Sequence, residues 1–322
     1  MGTWSSVMSR KARSRTTRLK TFFSRGHSPT ARSDDRQGSM SPSLDFDSCL
    51  FEAVAAASEA GDEIKAAWFV ERDVEYKGEC DLVTATDKKC EDLIFRRLQA
   101  AFPEHDFVGE ESVAAANGVL PTIGDAPTWF VDPLDGTTNF VHGYPFSCVS
   151  IGLTVHKIPV LGVVLNPITG ETFAAVQGRG ATLNGERISV SSVTDLNKCL
   201  VATEIGVGRD AETVDAIMSR VRVCVETCRS LRASGSCAMN MCGVAAGRLD
   251  AFFEIGFGGP WDCVGAAVIV REAGGLVMDP HGGAFQITGR RVLCGNPQVA
   301  TKLAKVLAAV PDGPLEPHAP AR

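Results

Sequence analysis

Between Thr128 and Phe140 the chain reads Thr-Trp-Phe-Val-Asp-Pro-Leu-Asp-Gly-Thr-Thr-Asn-Phe. The aromatic and β-branched run at its start is the pattern of a short buried strand. That strand runs into two acids three residues apart. Pro133 fixes φ and Gly136 allows a sharp turn, so Asp132 and Asp135 can converge at the strand's end. Two carboxylates crowded in one place repel, and each rises in pKa. A hard divalent cation removes that cost. Mg²⁺ takes oxygen ligands and keeps several waters, so carboxylates plus substrate phosphate are its usual set. A helix start at Gly136 and Thr137 would add backbone N–H groups that favour a phosphate oxygen. On its own D-x-x-D also reads as a turn with two surface acids; the apolar strand before it and the Gly-Thr-Thr turn after it argue against that.

Three further acidic segments stand apart from this one. Gly109-Glu110-Glu111-Ser112 carries a pair of glutamates, a pattern common on solvated helix faces. Trp261-Asp262 opens an apolar run that ends at Arg271-Glu272-Ala273-Gly274-Gly275, where Asp262 would sit well as a helix-dipole partner. Asp81-Leu82-Val83-Thr84-Ala85-Thr86-Asp87 ends in an aspartate that opens a helix, where a cap is the plain reading. None of the three would define a site alone.

The chain around these segments alternates helix-like and strand-like stretches. Residues 44–70 and 87–101 carry apolar positions at helical spacing. Strands are expected at 128–131, 147–154, 160–165 and 172–176, the last three as an antiparallel meander with a turn at Thr169-Gly170. Further on, strands at 200–203, 250–254, 276–278 and 292–294 alternate with helices at 211–228, 236–246, 262–271 and 299–309. The 262–271 helix is apolar nearly all round and should be buried. A meander followed by alternation predicts a layered α/β fold, not a parallel barrel.

Composition bounds what such a chain does. Its 322 residues hold Lys+Arg 32 against Asp+Glu 38, and 44% are hydrophobic. A net charge of −6 argues against a whole-protein nucleic-acid binder. No stretch is apolar for the roughly 18 residues of a membrane span. The 11 cysteines are odd in number and scattered, so they read as reduced thiols of a cytosol-like compartment. Neither G-x-x-x-x-G-K-[ST] nor G-x-G-x-x-G occurs, which excludes the common nucleotide-binding loops. Residues 1–43 hold nine Lys/Arg and two acids and are rich in Ser and Thr. That segment reads as a disordered basic tail or as an organelle transit peptide. A folded domain is expected over 44–310, and the Pro-rich residues 311–322 are expected to lack structure.

The four acidic segments, in this order, resemble the inositol monophosphatase family of Mg²⁺-dependent, lithium-sensitive phosphatases. The Asp132–Phe140 block and the Trp-Asp…Glu-Ala-Gly-Gly block at 261–275 carry the likeness, which runs from about Leu44 to Ala309. Glu254-Ile255-Gly256-Phe257-Gly258-Gly259-Pro260-Trp261-Asp262 is most similar to the plant-type branch. The resemblance implies an alternating α-β-α-β-α sandwich. It implies metal ligation by Glu110, Asp132, Asp135, Asp262 and the carbonyl of Leu134, with two or three Mg²⁺ ions. It implies that Thr137 and Asp87 activate the nucleophilic water, that Gly136 and Thr137 meet the phosphate, and that Glu254 accepts from sugar or cyclitol hydroxyls, with Asp135 and Asp262 sharing that work. Ser236 and Cys237 match a second substrate-contact segment. Homodimerisation and a small phosphate-ester substrate are implied too. Myo-inositol 1-phosphate leads, with L-galactose 1-phosphate or histidinol phosphate as alternatives, and a non-catalytic metal- or ligand-binding role is the competing class. Glu272, at the far end of its helix, is not expected to be a ligand.

Overall fold

The computed structural model describes residues 44–69, 74–76 and 82–318. The basic segment 1–43, Cys80 and Asp81 lie outside the described residues. The first half runs α1 (Phe46–Ala67), β1 (Val74–Tyr76), β2 (Leu82–Thr84), α2 (Ala85–Ala101), β3 (Asp106–Gly109), α3 (Glu110–Ala115), β4 (Thr128–Asp135), α4 (Thr137–His142), β5 (Cys148–Val155), β6 (Ile158–Asn166), β7 (Glu171–Val176), β8 (Ala181–Leu183) and β9 (Glu186–Arg187). The second half runs β10 (Leu200–Thr203), α5 (Ala211–Thr227), β11 (Ser230–Arg232), α6 (Cys237–Ala245), β12 (Ala251–Ile255), α7 (Pro260–Glu272), β13 (Leu276–Met278), β14 (Arg291–Gly295) and α8 (Pro297–Leu307).

β3 through β9 form one seven-stranded sheet in sequence order, antiparallel except for the β3–β4 pair. A five-stranded sheet has the order β11-β10-β12-β14-β13. Side-chain alternation along the strands divides the core into three interlayers. Val149, Ile151, Leu153, Leu161 and Val163 pack against α1 and α2. Cys148, Val164, Phe173 and Ala175 face the other way, onto α6 and α7, whose far sides meet Ala202, Phe252, Val292 and Cys294 of the second sheet. Val201, Ala251, Phe253 and Leu293 complete the stack against α5 and α8. This is the expected α-β-α-β-α layering, with α6 and α7 as its central layer.

α7 lies between the two sheets and is buried from Pro260 to Val270, as its all-round apolar sequence requires. Three glycines set how close it lies. A Cβ on Gly162 would sit 1.9 Å from the Gly265 carbonyl oxygen, and one on Gly152 would sit 2.5 Å from the Gly265 nitrogen. Helix backbone therefore rests directly on strand backbone.

Some boundaries shift for identifiable reasons. α2 starts at Ala85, because Thr84 caps it in a reciprocal box with Asp87. α7 starts at Pro260, whose missing N–H costs nothing in a first turn. The chain after Pro311, expected to lack structure, instead docks through residue 318. Buried Arg220 on α5 pairs with Glu316, and Arg291 on β14 donates to Asp312 at 2.9 Å and to the Pro317 carbonyl at 2.7 Å. Proline content signalled a non-helical path there, while the acids that anchor it gave no local pattern.

A Gly162→Ala variant should lose about 1–3 kcal/mol of stability from forced overpacking. Gly124→Ala, whose new Cβ would come no nearer than 4.0 Å to the Ala126 nitrogen, should be close to neutral. Urea unfolding of the two variants beside the parent protein checks this.

Candidate active site

The site is built where β4 ends. In a regular strand residues three apart point to opposite faces. Here Asp132 pairs with Ser150, yet Asp135 pairs with Cys148, so three steps on β4 match two on β5. The bulge falls at Pro133-Leu134, where a residue without an N–H is tolerated. It turns both aspartates to the face that meets α6 and α7. The Leu134 amide closes the turn on Asp132 Oδ1 at 2.9 Å.

The other acids arrive by register and helix placement. β3 runs parallel to β4 with Gly109 opposite Val131, so the next residue, Glu110, comes level with Asp132. Ser150 Oγ donates to the Trp261 carbonyl at 3.0 Å, which pins the first turn of α7 beside the bulge. Asp262 lies in that turn and accepts from the Gly259 amide at 3.1 Å. Glu254 comes from β12 across the middle layer and is buried, with Oε2 lacking a hydrogen-bond partner.

Thr137 sits at the first position of α4. Its Oγ1 is held between Asp87 Oδ1 and the Leu134 carbonyl, each 3.1 Å away. Asp87 Oδ2 in turn accepts from the Thr84 amide at 2.9 Å and the Thr84 hydroxyl at 2.5 Å. Gly136 precedes α4 at φ 85°, a left-handed conformation. A Cβ there would also come within 2.9 Å of the Gly235 carbonyl and 3.0 Å of the Phe146 carbonyl. No side chain caps α4, so its first amides open onto the same turn.

The electrostatics are those of crowded acid. Burial pushes Asp132 well above the carboxylate range, and the charges of Glu110, Asp135 and Asp262 push it further. Asp262 rises through burial and then through the charges of Asp135 and Glu110. Burial also raises Asp135 to about 6, against the donors Ser236 and Ala238. Asp87 rises to about 6 through burial, against its Thr84 hydrogen bonds. Glu254 rises well above its usual value by burial, with Glu204 the largest charge acting on it.

This donor set fits a hard divalent cation. It is all oxygen, it is largely buried, and its members repel one another unless protonated or charge-compensated. Among the described residues no three acids enclose an ion as they stand. The charges of Glu110, Asp135 and Asp262 all act on Asp132, and a cation would relieve that repulsion.

Ser236 and Cys237, expected beside the substrate, have other partners here. Ser236 Oγ donates to Asp135 Oδ2 at 2.6 Å and the Ala238 amide does so at 2.7 Å, so the start of α6 clamps that acid. The Cys237 thiol bonds Glu254. Two residues escaped the sequence reading. Asn139 Nδ2 donates to the carbonyls of Phe146 and Ser234, both at 2.7 Å, tying the β4 turn to the loop before α6. Glu204 accepts from the Ser234 and Gly235 amides and from the Asn240 side chain on α6, at 2.7–2.8 Å. Asn139 lay inside the conspicuous block, but Glu204 had no local signal. Glu272, as expected, is no part of the site; it accepts from the Gly178 and Gly180 amides.

Buried carboxylates and a polarised threonine at the strand ends are groups suited to metal-assisted phosphate-ester chemistry. Comparison with known proteins narrows this. The family model described as "Inositol monophosphatase family" matches residues 45–312. Inositol monophosphatase 2 of Solanum lycopersicum is 58% identical over 244 residues, 76% of this chain and 92% of that protein. Inositol monophosphatase 1 of Homo sapiens is 42% identical over 267 residues, 82% of this chain and 95% of that one. Among solved structures, the extragenic suppressor protein SuhB of Bartonella henselae superposes with a TM-score of 0.73 at 34% identity, covering 80% of this chain and 98% of its own. The inositol monophosphatase of Anabaena superposes with a TM-score of 0.70 at 31% identity, covering 83% and 98%. The chain belongs to the inositol monophosphatase family and is a phosphatase.

A carboxyl whose folded pKa is raised destabilises the fold once pH exceeds its unfolded value, because the unfolded chain then releases the proton more readily. For Asp87 and Asp135 the window runs from about 4 to above 6. The cation-free protein should therefore melt about 5 °C lower at pH 7.5 than at pH 5. Added Mg²⁺ should recover the difference at pH 7.5 and do little at pH 5, as scanning calorimetry with and without Mg²⁺ would show.

Proposed function

We propose that the chain hydrolyses myo-inositol 1-phosphate and related small cyclitol or sugar monophosphates in a Mg²⁺-dependent reaction. The observation that carries this is the Asp87–Thr137 pair beside the four acids. A pocket that only bound a cation or ligand would need no such pair. Glu110, Asp132, Asp135, Asp262 and the Leu134 carbonyl would hold two or three Mg²⁺ ions. When bound, Mg²⁺ supplies charge that favours an ionised water and a departing alkoxide and offsets the phosphate.

The chain's own residues do the positioning. A water that donates to Thr137 Oγ1 is oriented for in-line attack on phosphorus, because that hydroxyl's own proton points to Asp87. Asp87, raised to about 6, has a basicity suited to drawing a proton outward near neutral pH. The free amides of Gly136 and Thr137 meet phosphate oxygens. The partnerless Oε2 of Glu254 accepts from a cyclitol or sugar hydroxyl, with Asp262 beside it. Ser236 and Cys237 support this binding by holding Asp135 and Glu254.

Homodimerisation belongs to the same proposal. Val214, Met218 and Val225 recur on one face of α5 and are exposed, which suits an interface with a second copy. No helix of the described residues is long and apolar enough to cross a membrane, in keeping with a dissolved small-molecule substrate.

Phosphate release from myo-inositol 1-phosphate, L-galactose 1-phosphate and histidinol phosphate, with and without Mg²⁺, tests the reading. Mg²⁺-dependent release led by the inositol ester is expected, sensitive to millimolar-range Li⁺. Thr137→Ala should lower kcat by about 10²–10⁴-fold, the usual worth of positioned proton transfer. Near-normal turnover in that variant, or no release from any ester by folded protein, would contradict it.

A further inference from the structure

α2 carries two acids one turn apart on its buried face. Asp87, the first, reaches Thr137. Glu91, the second, is 4% exposed and points to a different element. Its Oε2 accepts from the Glu111 amide at 2.8 Å and its Oε1 from the Ser112 amide at 2.8 Å; the Ser112 hydroxyl donates to Oε1 as well. These amides belong to the first turn of α3, whose own N-cap residue, Gly109, has no side chain to bond them. A side chain from α2 therefore caps α3 in trans.

Gly109 is shaped to this contact. A Cβ there would lie 2.3 Å from Glu91 Oε2 and 2.5 Å from its carboxyl carbon. The backbone conformation, φ −117° and ψ 154°, is one any residue adopts. Space for the Glu91 carboxylate, and not backbone freedom, is what glycine provides at this position.

The residue between Gly109 and the gripped amides is Glu110. Strand register brings it level with Asp132, but register fixes only Cα. The direction of its side chain follows from the first turn of α3, and Glu91 holds that turn from outside. We propose that Glu91 is a positioning residue for cation binding: it fixes the start of α3 so that Glu110 completes the donor set with Asp132, Asp135 and Asp262. The same helix face would then orient both the water-activating threonine and a cation ligand. This rests on the reading that those acids hold Mg²⁺.

Two variants perturb the grip from opposite sides. Glu91→Gln keeps the shape but replaces one acceptor with an N–H₂ group facing an amide donor. Gly109→Ala leaves Glu91 chemically intact and displaces its carboxylate. Mg²⁺ affinity is read by titration calorimetry on the full chain, beside the melting temperature without Mg²⁺ and the Mg²⁺ dependence of phosphate release. Both variants should bind Mg²⁺ about 10–100-fold more weakly, the usual cost of losing a group that orients a ligand. Their kcat at saturating Mg²⁺ should stay near the parent value. Ser112→Ala, which removes one donor of three, should weaken Mg²⁺ in the same direction by less, and it decides the matter if the stronger variants do not fold. A lowered melting temperature with unchanged Mg²⁺ affinity would overturn the proposal, since it would make Glu91 a structural cap only. A folded parent protein that bound no Mg²⁺ would overturn the cation reading itself.

Discussion

The contact on which the rest of the structure depends is backbone against backbone, where α7 rests on the seven-stranded sheet through Gly152, Gly162 and Gly265. Side chains normally hold packed layers about 10 Å apart. Without them α7 comes closer, and its first turn is carried down to the end of β4. Asp262 is thereby delivered to Asp132 and Asp135. The Ser150–Trp261 hydrogen bond locks that depth from the sheet side. A larger residue at any of the three glycines would act on the active site through rigid-body displacement, without touching an acid.

What this packing assembles is unfavourable by itself. Crowded carboxylates of one sign raise one another's pKa, as they do at Asp132 and Asp262. The surrounding scaffold offsets part of the cost with donors: Ser236 and Ala238 to Asp135, Gly259 to Asp262, Leu134 to Asp132. Buried ionisable groups kept in a fold at such cost belong to functional sites far more often than to stabilising ones. The remaining unfavourable charge is what a bound cation would relieve.

Much of this was legible in the sequence, and unevenly so. The D-P-L-D-G-T-T block announced itself because strand, bulge proline, turn glycine and acids are contiguous. That helices and sheets would form layers followed from periodicity, since β5 to β7 and α7 each carry a strong local pattern, while the alternating order of those layers came from the family resemblance. The sequence could not show how α3 is held, because the cap comes from Glu91, some twenty positions away. Nor could it show that Ser236 bonds Asp135, or that Glu204 ties down the loop before α6. The docking of Asp312 and Glu316 on Arg291 and Arg220 was missed for the same reason: a buried ion pair between distant segments leaves no period and no motif. Local chemistry was readable, while the partners supplied by tertiary contact were not.

The central claim is that the crowded acids at the end of β4 are a cation site. Anomalous diffraction from crystals grown with Mn²⁺ in place of Mg²⁺ addresses it directly. Peaks within coordination distance of Glu110, Asp132, the Leu134 carbonyl, Asp135 and Asp262 are the predicted result. Anomalous peaks confined to other parts of the protein would contradict it.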